Sequence, residues 1–139
     1  MFDLQRTKFA KVLAPISVSG GATATCTEVD TKGFRAGAFY VFTGLVGANG
    51  ATIKWQESDT SGSGGTDVTG GTHTALVDAD DGIVVVTFAD FRGHKRYWTL
   101  VAVNGATNAS LLSAHAILYR AEETPDSATE RGVQEALYV

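Results

Sequence analysis

The pattern of apolar and polar positions is clearest between Ile83 and Val103, IVVVTFADFRGHKRYWTLVAV. Val84, Val86 and Phe88 fall on one side of an extended chain, with Ile83, Val85 and Thr87 on the other. Tyr97, Thr99, Val101 and Val103 then alternate against Trp98, Leu100 and Ala102. β-Branched and aromatic residues at this density fit a pleated, largely buried sheet. A helix is disfavoured, because the β-branched run from Ile83 to Thr87 would lose rotamer freedom in one. The short charged segment from Asp90 to Arg96, with Gly93 inside it, predicts a hairpin connection between the two strands.

The same period of two recurs along the chain. Lys11 to Val18 predicts a first strand, interrupted near Pro15, which a central strand would not tolerate. Thr23 to Val29 sets Ala24 and Cys26 against threonines. In Phe34 to Thr43, Ala38, Tyr40 and Phe42 alternate with Phe39 and Val41. Thr52 to Ser58 turns Ile53 and Trp55 inward and Thr52, Lys54, Gln56 and Ser58 outward, a half-buried strand. Two brief strands, Thr66 to Thr69 and His73 to Val77, follow a Ser/Gly-rich loop, and Ala109 to Ala121 alternates once more. Asn49-Gly50 and the Asn104 to Asn108 segment fit hairpin turns. About eight short strands with regular turn signals predict an all-β, antiparallel β-sandwich of jelly-roll-like form. Residues 10–121 make the sandwich, 1–9 an N-terminal arm and 122–139 an acidic C-terminal arm. No βαβ alternation is visible, which excludes a doubly wound fold.

Composition narrows this reading. With 139 residues, 44% hydrophobic and 19% charged, the chain suits one domain with a sizeable core. No apolar run approaches the roughly 20 residues of a membrane-spanning helix, so no membrane partner is expected. Cys26 has no second cysteine to pair with, and the first fifteen residues lack the apolar core of a secretory signal. Synthesis in a reducing cytoplasm is the expectation. The net charge of −4 belongs to the tail, because acids and Lys/Arg cancel over residues 1–121. A body without basic surplus argues against gripping a phosphate backbone, so nucleic acid is not an expected partner.

The sequence offers little catalytic chemistry. His73, His94 and His115 are far apart and fall in no zinc-ligand spacing. Asp78, Asp80 and Asp81 form an acidic turn that does not match a twelve-residue calcium loop. Nucleophile elbows, phosphate-binding loops and dinucleotide fingerprints are absent from the sequence, so neither an enzyme nor a cofactor or metal site is expected. Two stretches are candidates for partner binding. Arg92, His94, Lys95 and Arg96 form the concentrated basic patch, read either as a solvated tip or as an ionic contact with an acidic partner. Arg96 beside Tyr97 also permits stacking of the guanidinium on an aromatic face. Leu137, Tyr138 and Val139 end an acidic tail that cannot build its own core, so they predict an arm docking on a neighbouring subunit.

Four segments in order carry a family resemblance: GFRAGAFYV (Gly33 to Val41), TIKWQESDTSG…TDVTG (Thr52 to Gly70), FRGHKRYWTLVA (Phe91 to Ala102) and LYRAEETP (Leu118 to Pro125). Together they resemble the head decoration, or cement, proteins of tailed bacteriophages. The resemblance implies a jelly-roll-like sandwich, often a homotrimer, seated on the virion surface and clamping neighbouring copies of the major capsid protein. It supplies no catalytic motif. A phage neck or tail component is an alternative within the same class. A carbohydrate-binding β-sandwich is the alternative from another class, and it would require aromatic rings exposed on one face. Trp55 and Trp98, both in apolar alternation, point to core packing instead.

Overall fold

A computed structural model of the chain describes residues 6–44, 51–76, 84–105 and 109–122, together with Thr129, Gly132 and Val133. The period-two segments become strands: β1 (Lys8–Val18), β2 (Thr23–Ala24), β3 (Val29–Asp30), β4 (Phe34–Thr43), β5 (Ala51–Ser58), β6 (Thr66–Leu76), β7 (Val84–Asp90), β8 (Tyr97–Asn104) and β9 (Ser110–Ala121). They form two antiparallel sheets, ordered β1-β9-β4-β7 and β2-β8-β5-β6, with β3 also on β8.

The short strands β2 and β3 are pieces of one broken edge strand. Both run along β8, with Ala24 opposite Ala102 and Val29 opposite Trp98. The break has a cause in the other sheet: the Thr27 N–H leaves the ladder and donates to the Val12 carbonyl of β1 at 2.7 Å. Counted as one, they give two four-stranded sheets whose sequence neighbours mostly lie in opposite layers. That is jelly-roll connectivity. On the opposite side of the sandwich, His73 of β6 and Thr87 of β7 share a hydrogen bond of 2.9 Å between the sheets.

The predicted central hairpin is not one. β7 pairs with β4 and β8 with β5, so the connection from Asp90 to Arg96 arches from one sheet to the other. Phe91 explains the arch, because its buried ring points into the core, edge-on to Phe39 at 6.1 Å and to Trp98 at 5.5 Å. A tight two-strand turn would have left that ring in water. The hairpins expected at Asn49-Gly50 and at Asn104 to Asn108 are corrected likewise, since β4 and β5, and β8 and β9, lie in different sheets. The hairpin of the second sheet is β5–β6, closed by the Ser/Gly-rich loop. That loop is tied down, with Ser61 Oγ and the Gly62 N–H both donating to Glu28.

The two brief strands expected between Thr66 and Val77 are the single strand β6. Its register jumps between the pairs Lys54↔Thr72 and Gln56↔Asp67, and the extra residues turn Val68 into the core. Pro15 sits in β1, an edge strand, within the register shift between Leu13 and Ile16, where its missing N–H costs no central ladder bond. Ser58, expected outward, is buried and bonds Ser63 Oγ at 2.6 Å.

The core lies between the layers. Phe39, Val41, Leu112, Ala114, Ala116 and Leu118 from the first sheet meet Ile53, Trp55, Trp98, Leu100 and Ala102 from the second. The alanines at the centre of β9 leave room for the two indoles opposite. Trp98 anchors its N–H on the Lys95 carbonyl at 3.0 Å.

Candidate assembly surface

Inward residues of the first sheet are apolar by necessity, but many of its outward residues are apolar as well, and all the exposed large hydrophobics among the described residues belong to it. Ladder register places Phe9, Ile117, Ala38 and Phe88 in one row across β1, β9, β4 and β7. The next row is Lys11, His115, Tyr40 and Val86, and Phe42 stands beyond it beside Ser113. Of these, Phe88 is 75% exposed, Phe42 41% and Phe9 38%. A one-sided antiparallel sheet ordinarily turns polar residues to water. The second sheet does so on β5, where Lys54 and Gln56 both bond Asp67 of β6, at 3.1 and 2.7 Å, while the outward Val101 and Val103 of β8 are only partly exposed. The asymmetry between the two faces marks the first sheet as the sticky one.

Part of this face is concave. Phe9, Lys11, Tyr40, Phe42, His115 and Ile117 line a groove of about 370 Å³, with Gly132 on its rim. The Tyr40 and Phe42 rings lie 6.4 Å apart and nearly parallel, and His115 meets Phe42 edge-on at 6.0 Å. Sequence reading missed this surface because β4 and β7, apolar on both sides, read as strands buried on both sides.

The four basic residues named from the sequence do come together, at the end of the sandwich where the arch crosses. Each is engaged within the chain. Arg92 clasps Asp90 with its guanidinium and backbone N–H, holding that carboxyl down at about 2. Arg96 grips Asp30 through two bonds of 2.7 Å and lies 4.7 Å over the Tyr97 ring. His94 Nδ1 and the Lys95 N–H both meet Glu57 Oε2 at 2.9 Å, while Lys95 Nζ donates to Thr66 Oγ1 at 3.2 Å. These contacts brace the arch that carries Phe91 into the core. Leu137, Tyr138 and Val139 lie outside the described residues, as do Asp78, Asp80 and Asp81.

The Arg96 clasp makes a pH prediction. Hydrogen bonding to Arg96 holds the Asp30 carboxyl below its ordinary value, with smaller help from the Lys32 N–H. A depressed carboxyl contributes stability above the unfolded value of about 4 and loses it as pH falls through the folded value. Asp30→Asn is therefore expected to lower the urea midpoint at pH 7, and the gap from wild type should close below about pH 4. Asp30 is 41% exposed, so the effect should stay below about 1 kcal/mol. A gap that persists unchanged at pH 2.5 would contradict it.

Remaining candidates are bland in place. Among the described residues, no three His, Cys, Asp or Glu side chains gather as a metal site would. Trp55 and Trp98 are each 1% exposed, in the core that their alternation predicts. Cys26 is half-buried, and desolvation pushes its thiol up to about 11, which keeps it protonated and slow to react.

No protein-family model matches the chain, and no curated protein does. Among solved structures, the chain is similar to one reported under the description "Bacillus endospore appendages form a novel family of disulfide-linked pili". The two share 16% identity at a TM-score of 0.46, over 86% of this chain and 94% of that one.

Proposed function

We propose that this chain is a virion structural protein that decorates and stabilises a bacteriophage head, docking through the outer face of its first sheet. The observation that carries the reading is the set of exposed aromatic rings on one face of a sandwich whose other face exposes no large hydrophobic side chain among the described residues. Jelly rolls of this connectivity are common in viral shells, and the four segments quoted above resemble head decoration proteins. A shell presents many copies at once, so weak apolar contacts add through avidity. Trimers and contact with the major capsid protein belong to the same proposal, which assigns the chain no catalytic step. The glycan alternative has the exposed aromatic rings it requires, with Lys11, Tyr40 and His115 beside them in the groove. What favours a protein partner is the most exposed ring, Phe88, whose row of Phe9, Ile117 and Ala38 carries no polar side chain to meet a sugar hydroxyl.

Phe88→Ser is the direct test. Burying an exposed phenylalanine contributes about 1.5–3 kcal/mol, or roughly 10- to 100-fold in affinity per contact. The variant should melt like wild type, because the ring is exposed in the free chain, yet fail to co-sediment with phage heads assembled without this protein. Thr52→Ala, on the outer face of the second sheet, should bind normally. Equal binding by Phe88→Ser and wild type would remove this face from the interface. A ring of six or more copies by light scattering would redirect the proposal to the neck or tail.

A further inference from the structure

The two sheets present four edges, and all but one are blunted against pairing with another strand. β1 carries Pro15 and two register shifts. β6 jumps in register around Gly70, whose φ is +77°. The edge along β8 is broken into β2 and β3. β7 differs from all of these. It holds an unbroken register with β4 from Ala36↔Asp90 to Phe42↔Val84, contains no Pro or Lys, and has no described strand on its other side. A regular apolar edge is a template for a further strand. The phase of this edge is fixed by bonds at the ends of β4. The Phe91 N–H donates to the Arg35 carbonyl at 2.9 Å, and on the other side of β4 the Gly44 N–H donates to the Leu111 carbonyl at 2.9 Å. Odd-numbered residues of β4 and β7 therefore bond one another, which turns the backbone N–H and C=O of Val84, Val86, Phe88 and Asp90 out of the sheet.

We infer that β7 of a second copy of this chain pairs antiparallel with this edge, about a two-fold axis at Thr87. Among the described residues β7 is the one unblunted edge, so a second copy supplies the matching one, and a like-with-like contact closes on itself. The backbone selects the register. Centred on Thr87, Val84 meets Asp90 of the second copy and Val86 meets its Phe88, so every outward residue finds a partner. Centred on Val86 or on Phe88, one outward residue of each copy is left over. The side chains favour the same register. Val86 and Phe88 share the outer face, and a phenyl ring opposite a β-branched residue is a favourable cross-strand pair, formed twice by symmetry. Asp90, whose charge Arg92 answers, meets no acid. The row of Phe9, Ile117, Ala38 and Phe88 then runs on through Val86, Tyr40 and His115 of the second copy, so the aromatic face continues across the joint. The pairing uses the backbone edge of β7 and leaves the outer side of the Phe88 ring open, so it neither requires head docking nor blocks it.

Cysteine cross-linking of the purified full-length chain tests the pairing. Residues that face each other in a non-hydrogen-bonded antiparallel pair have Cα atoms about 4.5 Å apart, within disulfide reach. In a Cys26→Ala background, Thr87→Cys is therefore expected to give a covalent dimer under mild oxidation. Thr87 is half-buried on the inner side of β7, so stacking of two outer faces would not bring it to its copy. Lys54→Cys, on the outer face of the second sheet, should give only a collisional background. Adding Val86→Pro should cut the Thr87→Cys yield about tenfold or more, since it deletes an outward donor on each copy while sparing the bonds to β4. Light scattering needs no cysteine: the mass of the wild type should rise with concentration, and Val86→Pro should hold it at its dilute value. Thr87→Cys dimers no more abundant than those of Lys54→Cys, or a wild-type mass that never rises, would overturn the inference. A higher yield from Phe88→Cys than from Thr87→Cys would overturn the register. Head binding is read by co-sedimentation of Phe88→Ser, so the two readings fail separately.

Discussion

Phe39→Ala is expected to lower the free energy of unfolding by about 3–5 kcal/mol, the range for emptying an aromatic site in a packed core. Phe39 is fully buried at the middle of β4, a central strand of its sheet. Its ring lies 4.3 Å from Trp55, stacks within 6° of parallel on Trp98 at 5.3 Å, and takes Phe91 edge-on. It thus joins both layers and the arch between them. Alanine would leave a void walled by two indoles and a phenyl, groups too rigid to collapse into it, and would lose roughly 0.5–1.5 kcal/mol in each aromatic pair. A domain of this size has about 5–15 kcal/mol in total, so a drop in melting temperature of about 10–20 °C follows. Denaturant unfolding followed by tryptophan fluorescence reads it directly, since both indoles line the void. A loss under about 1 kcal/mol would show that the core is not organised around this ring. The contrast with Phe88→Ser separates packing from recognition: the same side chain is structural on β4 and free for a partner on β7.

The strands themselves were largely legible. β4 runs from Phe34 to Thr43 as the alternation predicts, and β5, β8 and β9 differ from expectation by about one residue. Period-two patterning records which side of a strand is dry, and that survives any topology. Pairing was not legible, because it is decided by contacts far apart in sequence. Asp90 to Arg96 has the length and charge of a hairpin turn, and only the destination of Phe91 makes it an arch. The salt-bridged tip shows the same limit. Arg92, His94, Lys95 and Arg96 stand out in sequence as excess charge, but Asp30 and Glu57, which hold three of them, come from β3 and β5. The outer aromatic face was hidden for a different reason. A strand apolar on both sides reads as doubly buried, and nothing in its residues tells a covering element from water.

Asn104 was expected to open a turn, and its burial leads to the second large effect. The residue is fully buried at the end of β8. Its Nδ2 donates to the Val18 carbonyl at the end of β1 at 2.8 Å, and its Oδ1 accepts from Ser110 Oγ at the start of β9 at 3.1 Å. Its backbone meanwhile bonds Gly21 and Ala22, at 2.7 and 2.9 Å. One side chain therefore ties the second sheet to two neighbouring strands of the first, β1 and β9. Asn104→Ala strips partners from a buried carbonyl and a buried hydroxyl, each orphan costing about 1–3 kcal/mol, so a loss of about 2–4 kcal/mol is expected. Asn104→Asp should be worse at pH 7, because an ionised carboxylate cannot donate to the Val18 carbonyl and is costly to bury. Burial would raise that carboxyl above its unfolded value of about 4, so the folded state would bind the extra proton. Stability of the aspartate variant should then fall as pH rises through that window and recover on acidification, when the protonated oxygen can donate again. Urea midpoints of the three proteins at pH 4.5 and 7.5 make the comparison. If the aspartate variant loses no more at 7.5 than at 4.5, the side chain does not bridge the sheets as a donor.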